Sequence, residues 1–201
     1  MKEKEGIMSV NFKRDKRSVK TRYAIKLALF KLLKSNDIES VTITEITRIA
    51  GINRNSFYTH YTSISNVLDD VNNDILSEID DILKDYTYQS FKENPAPVIG
   101  EFSKALYENK YFAEYILFSK NAVELIYKLK RYICDRALEQ YRTERETISP
   151  FVPYMVGFLV GGTFDMYSLW FSSKTNFSID ELTEKIVQFL SAGITALQNL
   201  K

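Results

Sequence analysis

The sequence predicts an all-α protein, on three observations. Apolar residues recur at helical spacing through most of the 201 residues. No alternating apolar and polar run meets a hairpin turn. Helix-opening residues stand directly ahead of the apolar stripes: Thr42 with Glu45, and Ser178 with Glu181, have the spacing of a capping box, in which each side chain satisfies the other residue's backbone amide. With 45% hydrophobic residues the chain can bury a substantial core. The expected organisation is a flexible stretch over 1–12, a three-helix helix-turn-helix head over 13–62, and a larger helical body over 63–201.

Within the head, Lys13 to Arg22 gathers basic side chains before a helix, as expected of a segment lying along phosphates. Ile25, Ala28, Leu29, Leu32 and Leu33 form that helix's inward stripe, and Asn36 and Asp37 end it. The stretch VTITEITRIAGINRNSFYTHY, Val41 to Tyr61, then reads as two short helices joined by a tight turn. Thr42 caps the first, Val41 clasps Ile46, and Ile46, Ile49 and Ala50 share one face. Gly51 ends it, being the one residue there that takes a left-handed conformation without strain. Asn53 caps the second helix and Ile52 packs on Phe57, so Phe57 points inward. Arg54, Asn55, Tyr58 and Thr59 are thereby left facing outward, where a helix in a major groove presents side chains to base edges.

Charge separates head from body. From Met1 to Asn66 there are thirteen basic and six acidic residues, an excess of seven positive charges, while the whole chain carries +1. The remainder is therefore at −6, with 14 basic and 20 acidic residues. Such a split suggests an anionic partner for the first third only, the alternative being a solvated basic face. One cysteine, Cys134, excludes an internal disulfide, and one histidine, His60, excludes the zinc sets that need several such ligands. No Ser-His-Asp or Cys-His arrangement and no phosphate-cradling glycine loop can be assembled, so neither an enzyme nor a metal or cofactor is expected. The opening residues Lys2, Glu3, Lys4 and Glu5 have no apolar run behind them, and a cytoplasmic protein is expected.

The body opens with a long helix capped by Ser63, with Ile64, Leu68, Val71, Ile75, Ile79 and Ile82 along one seam. Asp69, Asp70, Asp74, Asp80 and Asp81 lie away from it and are expected to be solvated. Asn94 to Pro97 break the chain. Helices follow over roughly Val98 to Tyr107, Tyr111 to Phe118, and Asn121 to Arg142, the last with Val123, Ile126, Leu129, Ile133, Ala137 and Tyr141 facing in. Ser149 and Pro150 open the next helix. From Phe151 to Phe171 only Asp165 is charged, and Gly157 and Gly161 are spaced four apart. That length would permit a membrane span, but its polar positions, aromatic residues and proline fit a helix buried in protein, and no membrane partner is expected. The final helix carries Leu182, Ile186, Phe189, Leu190, Gly193, Ile194 and Leu197 on its apolar side. With Met155 and Leu159 of the preceding helix these residues could meet their copies in a four-helix dimer interface, or could complete a monomeric core.

In the stretch from Thr42 to Tyr61 the chain resembles the TetR/AcrR family of bacterial transcription regulators, whose pattern runs T-x-x-x-I-A-x-x-A-G-[VI]-S-x-x-[TS]-F-Y-x-H-F. Thr42, Ile46, Ala50, Gly51, Ile52, Ser56, Phe57, Tyr58 and His60 match it in register. Thr47, Asn53 and Tyr61 stand where the family has Ala, Ser and Phe, and Ile64 stands where it usually has a phosphate-meeting lysine. The resemblance rests on residues from Lys13 to about Leu68, and beyond that on helix count and order. It implies a homodimeric regulator of a palindromic operator, with two heads about 34 to 36 Å apart. A repressor released when a small molecule binds the body is expected, the alternatives being an activator of the same fold or a protein-interaction adaptor.

Candidate DNA contacts are Arg54 to guanine or phosphate and Asn55 to adenine or phosphate. Tyr58, His60 and Thr42 are assigned to phosphate, and Thr44, Asn53, Ser56 and Thr59 complete the set. For each, solvation or packing is the alternative. The family also implies an effector pocket, with Phe102, Tyr107, Tyr111, Phe112, Tyr115, Phe118, Tyr127, Tyr154, Phe158, Tyr167 and Trp170 as candidate lining, although aromatic residues at helical spacing also serve as core.

Overall fold

A computed structural model of the chain describes residues 16–108, 110–143, 149–173 and 176–198. Lys13 and Arg14, with the stretch 1–12, lie outside them. Among the described residues the regular structure is all helical, with ten α-helices and two 3-10 turns. Their order is α1 Lys16–Leu33, a 3-10 turn Ile38–Ser40, α2 Ile43–Ala50, α3 Arg54–Tyr58, α4 Ile64–Leu83, α5 Tyr88–Glu93 and α6 Ala96–Glu108. There follow α7 Lys110–Phe118, a 3-10 turn Lys120–Ala122, α8 Val123–Thr143, α9 Val152–Ser172 and α10 Ile179–Gln198. None of these helices is long and apolar enough to cross a membrane.

The described residues form two compact units, one comprising those of 16–79 and 110–123, the other those of 80–108 and 124–198. In the first, Ile25, Ala28, Leu29 and Leu33 of α1 are buried, as are Ile46 of α2 and Phe57 of α3. The seam of α4 settles on Val67, Val71, Ile75 and Ile79, one every fourth residue, while Ile64 and Leu68 are half-buried. The segment 110–123 joins this unit through a set of contacts near the end of α1. Phe30 packs against the Tyr115 ring at 5.2 Å between centroids, and Lys34 pairs with Glu114 at 3.0 Å. Asn121 accepts from the Ile38 amide at 3.2 Å and donates to the Asn36 carbonyl at 3.3 Å.

In the second unit α10 packs against α6 and α9. Leu182, Ile186, Leu190, Ile194 and Leu197 are all buried along its inner face. Tyr141, Val152, Val156 and Leu197 form a core against which Met155 and Leu159 pack. α9 and α10 approach closely at Gly193, where an added Cβ would meet the Leu159 side chain at 2.5 Å.

Several expectations change. The chain after α4 forms α5, capped by Thr87, which the sequence reading passed over because its six residues are too few for a period to emerge. Val123, expected to face inward, is exposed; the helix begins there, after a 3-10 turn, so its inward stripe starts at Leu125. α9 starts at Val152 with Phe151 at its cap and Pro153 in its first turn, so neither Ser149 nor Pro150 holds the predicted position. Asp70, Asp74 and Asp80 are not simply solvated: Tyr132 and Arg136 both donate to Asp80, and the other two belong to the cluster described below.

The turn between α2 and α3 has one conformational requirement. Gly51 sits at φ 67° with its amide bonded to the Thr47 carbonyl, and a Cβ there would meet nothing within 4 Å. Gly51→Val should therefore lower stability by about 1–2 kcal/mol through backbone strain alone, with Gly51→Asn costing clearly less; equal losses in urea unfolding would show that crowding, not φ, matters there.

Candidate nucleic-acid interface

Each helix of the motif is fixed by its own ends. The Thr42 hydroxyl accepts from the Glu45 amide at 3.3 Å, and Glu45 accepts from the Thr42 amide at 3.0 Å, completing the capping box. That box holds the Glu45 carboxyl below its usual range, mainly through the Thr42 hydroxyl. Thr47, where the family pattern has alanine, is buried and returns its hydroxyl to the Thr44 carbonyl at 3.0 Å, so the extra polar atom is satisfied locally. Asn53 Oδ1 accepts from the Ser56 amide at 2.7 Å.

At five residues α3 is too short to hold itself. Phe57, with 0% of its surface exposed, anchors it, and the rings of Tyr58 and Tyr61 meet Phe57 at 5.7 Å and 6.0 Å between centroids. With Phe57 inward, Asn53, Arg54, Asn55, Tyr58 and Thr59 are exposed, and Ser56 and His60 half-exposed. Arg54 Nη2 reaches Tyr58 Oη at 3.5 Å, and Thr59 donates to the Asn55 carbonyl at 2.9 Å. Thr42 and Thr44, at the start of α2, are exposed as well. All nine candidate contacts thus fall within two short segments, 42–44 and 53–60.

Behind α3 lies a cluster that sequence reasoning missed. Arg22 and Lys26 of α1 meet Asp70 of α4 at 2.5 and 2.7 Å, and Lys26 also pairs with Asp74. Tyr61 donates to Asp70 at 2.6 Å and accepts from Arg22 Nε at 3.3 Å. Burial works to raise the Asp70 pKa, but hydrogen bonds from Lys26, Tyr61 and Arg22 outweigh it and bring it to about 2. Arg22 is raised, chiefly by its hydrogen bond to Asp70, and Tyr61 is raised, chiefly by burial. The available signal was a shared spacing: Arg22 and Lys26, like Asp70 and Asp74, stand four apart, so each pair occupies one helix face. Arg22 and Lys26 are therefore committed within the protein, whereas Lys20, Arg48 and Arg54 are exposed.

The aromatic residues proposed for a pocket are divided between the two units. Tyr115 is buried in the first unit, where burial pushes its hydroxyl up to about 12. Tyr111, Phe112 and Phe118 lie on α7, but their side chains are outside what the structure describes. In the second unit Tyr107, Tyr127, Tyr154 and Phe158 are exposed, and Phe102 and Trp170 half-buried. Tyr167 is buried and lies 2.7 Å from the Ser103 hydroxyl, which Thr183 approaches at 2.6 Å; burial raises Tyr167 to about 12. Trp170 donates its indole N–H to the Phe177 carbonyl at 3.1 Å. Of the dimer candidates, Leu182, Ile186, Leu190, Ile194 and Leu197 are consumed inside one chain, Met155, Leu159 and Gly193 are half-buried, and Phe189 is exposed. No group of acidic, histidine or cysteine side chains able to hold a metal occurs among the described residues.

No protein-family model and no curated protein matches the sequence. Solved structures do. A TetR transcriptional regulator from Streptococcus agalactiae 2603V superposes with a TM-score of 0.60 at 18% identity, over 88% of this chain and 96% of that one. A transcriptional regulator from Aquifex aeolicus VF5 gives 0.58 at 18% identity over 86% and 98%. The fold is that of the TetR regulators. The dihydroxyacetone kinase operon activator DhaS is similar too, with a TM-score of 0.59 at 16% identity over 88% and 97%. The TetR-like fold carries its helix-turn-helix at Thr42–Tyr61, the stretch whose residues match the TetR pattern.

Because the folded Asp70 pKa of about 2 lies below its ordinary 3.8, its ionised form contributes stability above pH 3.8 that is lost as pH falls through 2. Asp70→Asn should cost on the order of 2 kcal/mol near neutral pH. Urea unfolding from pH 7 to 2 should show the gap to wild type closing in that acid window and not above it.

Proposed function

We propose that this chain is a sequence-specific DNA-binding transcriptional regulator that acts as a homodimer, a repressor that leaves a palindromic operator when a small molecule binds its second unit. The observation that carries this is the exposed polar row on α3, Arg54, Asn55, Tyr58 and Thr59, opposite the fully buried Phe57. It occurs in a chain whose fold matches that of TetR regulators over 88% of its length. Arg54 and Asn55 are the base readers. Tyr58, His60, Thr42 and Thr44 hold phosphate, with Asn53 and Ser56 setting the helix start against the backbone and Thr59 standing at its end. The family lysine replaced by Ile64 is one phosphate contact this chain forgoes.

Dimerisation is assigned to the outer faces of α9 and α10. Tyr154, Phe158 and Phe189 are 78%, 73% and 65% exposed, and Gly157 and Gly161 leave open space where a Cβ would stand. A row of large apolar side chains left in water is the usual mark of a protein contact. The effector would be an aromatic or amphipathic molecule within the second unit, taken up beside the Tyr167, Ser103 and Thr183 hydroxyls. It can act only by binding one state of the protein better than the other. A cytoplasmic location follows from this role. Activation is the second reading, favoured by the similarity to a protein described as an operon activator. A protein-interaction adaptor is a third: it would bind DNA of any sequence equally.

Selection of bound duplexes from a random pool should enrich palindromes with half-sites about one turn apart. Arg54→Ala and Asn55→Ala should each lose about 1–3 kcal/mol of discrimination at one position while keeping non-specific binding; no enrichment by the wild type would refute the DNA-reading role. In sedimentation the wild type should run at twice the 23.4 kDa chain mass. Phe158→Lys or Phe189→Lys should give folded monomers, and a monomeric wild type at micromolar concentration would refute the dimer.

A further inference from the structure

Tyr61 departs from the pattern that the rest of the motif follows. The family has phenylalanine at this position, and a phenylalanine would fill the same space, since Tyr61 is only 5% exposed and its ring lies beside Phe57. The added hydroxyl is therefore placed in the interior, where an unpaired one would be costly. It is paired on both sides, donating to Asp70 of α4 at 2.6 Å and accepting from Arg22 of α1 at 3.3 Å. The Arg22 guanidinium also stands over the Tyr61 ring at 5.7 Å. Asp70 is held in turn by Arg22 and Lys26. One phenol thus ties the segment just after the reading helix to the helices before and after it, within a single compact unit.

We propose that Tyr61 is a positioning residue for DNA-sequence discrimination, its hydroxyl fixing, through Asp70 and Arg22, the attitude in which α3 presents Arg54 and Asn55. This rests on the DNA-reading role proposed above. α3 has only five residues, and Phe57 alone is a single anchor about which so short a helix can pivot. Tyr61, four residues on, supplies a second point at the other end. With both anchors a base-reading pair is preorganised; with one, sequence-specific contacts must pay for ordering while phosphate contacts, which tolerate displacement, are little affected.

The test compares the full-length wild type with Tyr61→Phe, Asp70→Asn and the double variant. Each is titrated with the duplex selected by the wild type and with a scrambled duplex of equal length at one salt concentration, alongside a thermal melt. Tyr61→Phe restores the family's side chain and should fold. Its ratio of specific to non-specific affinity should fall roughly tenfold, the size of one lost hydrogen bond to a charged group, with scrambled-duplex binding unchanged. Adding Tyr61→Phe to Asp70→Asn should produce little further fall in that ratio. An unchanged ratio in Tyr61→Phe, even with a lower melting temperature, would overturn the proposal by showing a merely structural hydroxyl, as would additive effects in the double variant. A wild type without sequence preference would overturn both this and the DNA-reading role, whereas a preference retained in Tyr61→Phe overturns the positioning role alone.

Discussion

The burial of Phe57 is the constraint on which the head depends. A helix of five residues has too few internal hydrogen bonds to persist alone, so its orientation comes from what holds its apolar side. Placing Phe57 in the core sets the rotation of the whole helix and leaves Arg54, Asn55, Tyr58 and Thr59 in water, with Ser56 half-exposed. The left-handed Gly51 allows α2 to turn directly into the Asn53 cap, and the two caps satisfy the Thr42, Glu45 and Ser56 amides. Geometry that selects which side chains meet a partner thus follows from one aromatic ring, one glycine and two polar caps.

Electrostatics in the same unit divides the basic residues into two groups with different work. Arg22 and Lys26 neutralise Asp70 and Asp74 across α1 and α4, and Lys34 is spent on Glu114. Such pairs stabilise mainly where they are partly buried and share donors, as at Asp70, and contribute little where exposed, as at Lys34. Among the described residues, Lys20, Arg48 and Arg54 by contrast stand exposed on this unit.

The all-helical class and the ends of α2, α3 and α10 were legible because capping boxes and a lone glycine act over three or four residues. The expected break at Asn94 to Pro97 is confined to Asn94 and Pro95, because Ala96 and Pro97 already lie in the first turn of α6, where a proline is tolerated. What escaped depends on distant partners. Asp70 looks like any other aspartate on a polar face until α1 is placed against α4, and Asn121 looks like loop until it is found bonded to Asn36 and Ile38, more than eighty residues earlier. The apolar stripe of α10 shows that Leu182, Ile186 and Leu190 are covered, but periodicity does not say by what; α6 and α9 of the same chain cover them. Aromatic content likewise indicated bulk without location: among the described side chains Tyr115 is buried in one unit and Tyr167 in the other, while Tyr107, Tyr127, Tyr154 and Phe158 are exposed.

The central claim is that the outer flank of α3 meets nucleobases. Following backbone amide shifts while titrating the isotopically labelled protein with a duplex it selects tests this most directly. The account predicts saturable changes at Thr42 to Thr44 and Asn53 to His60, larger for Arg54 and Asn55 with the selected duplex than with a scrambled one. Binding of the duplex that leaves those amides unmoved and perturbs other surfaces would contradict it.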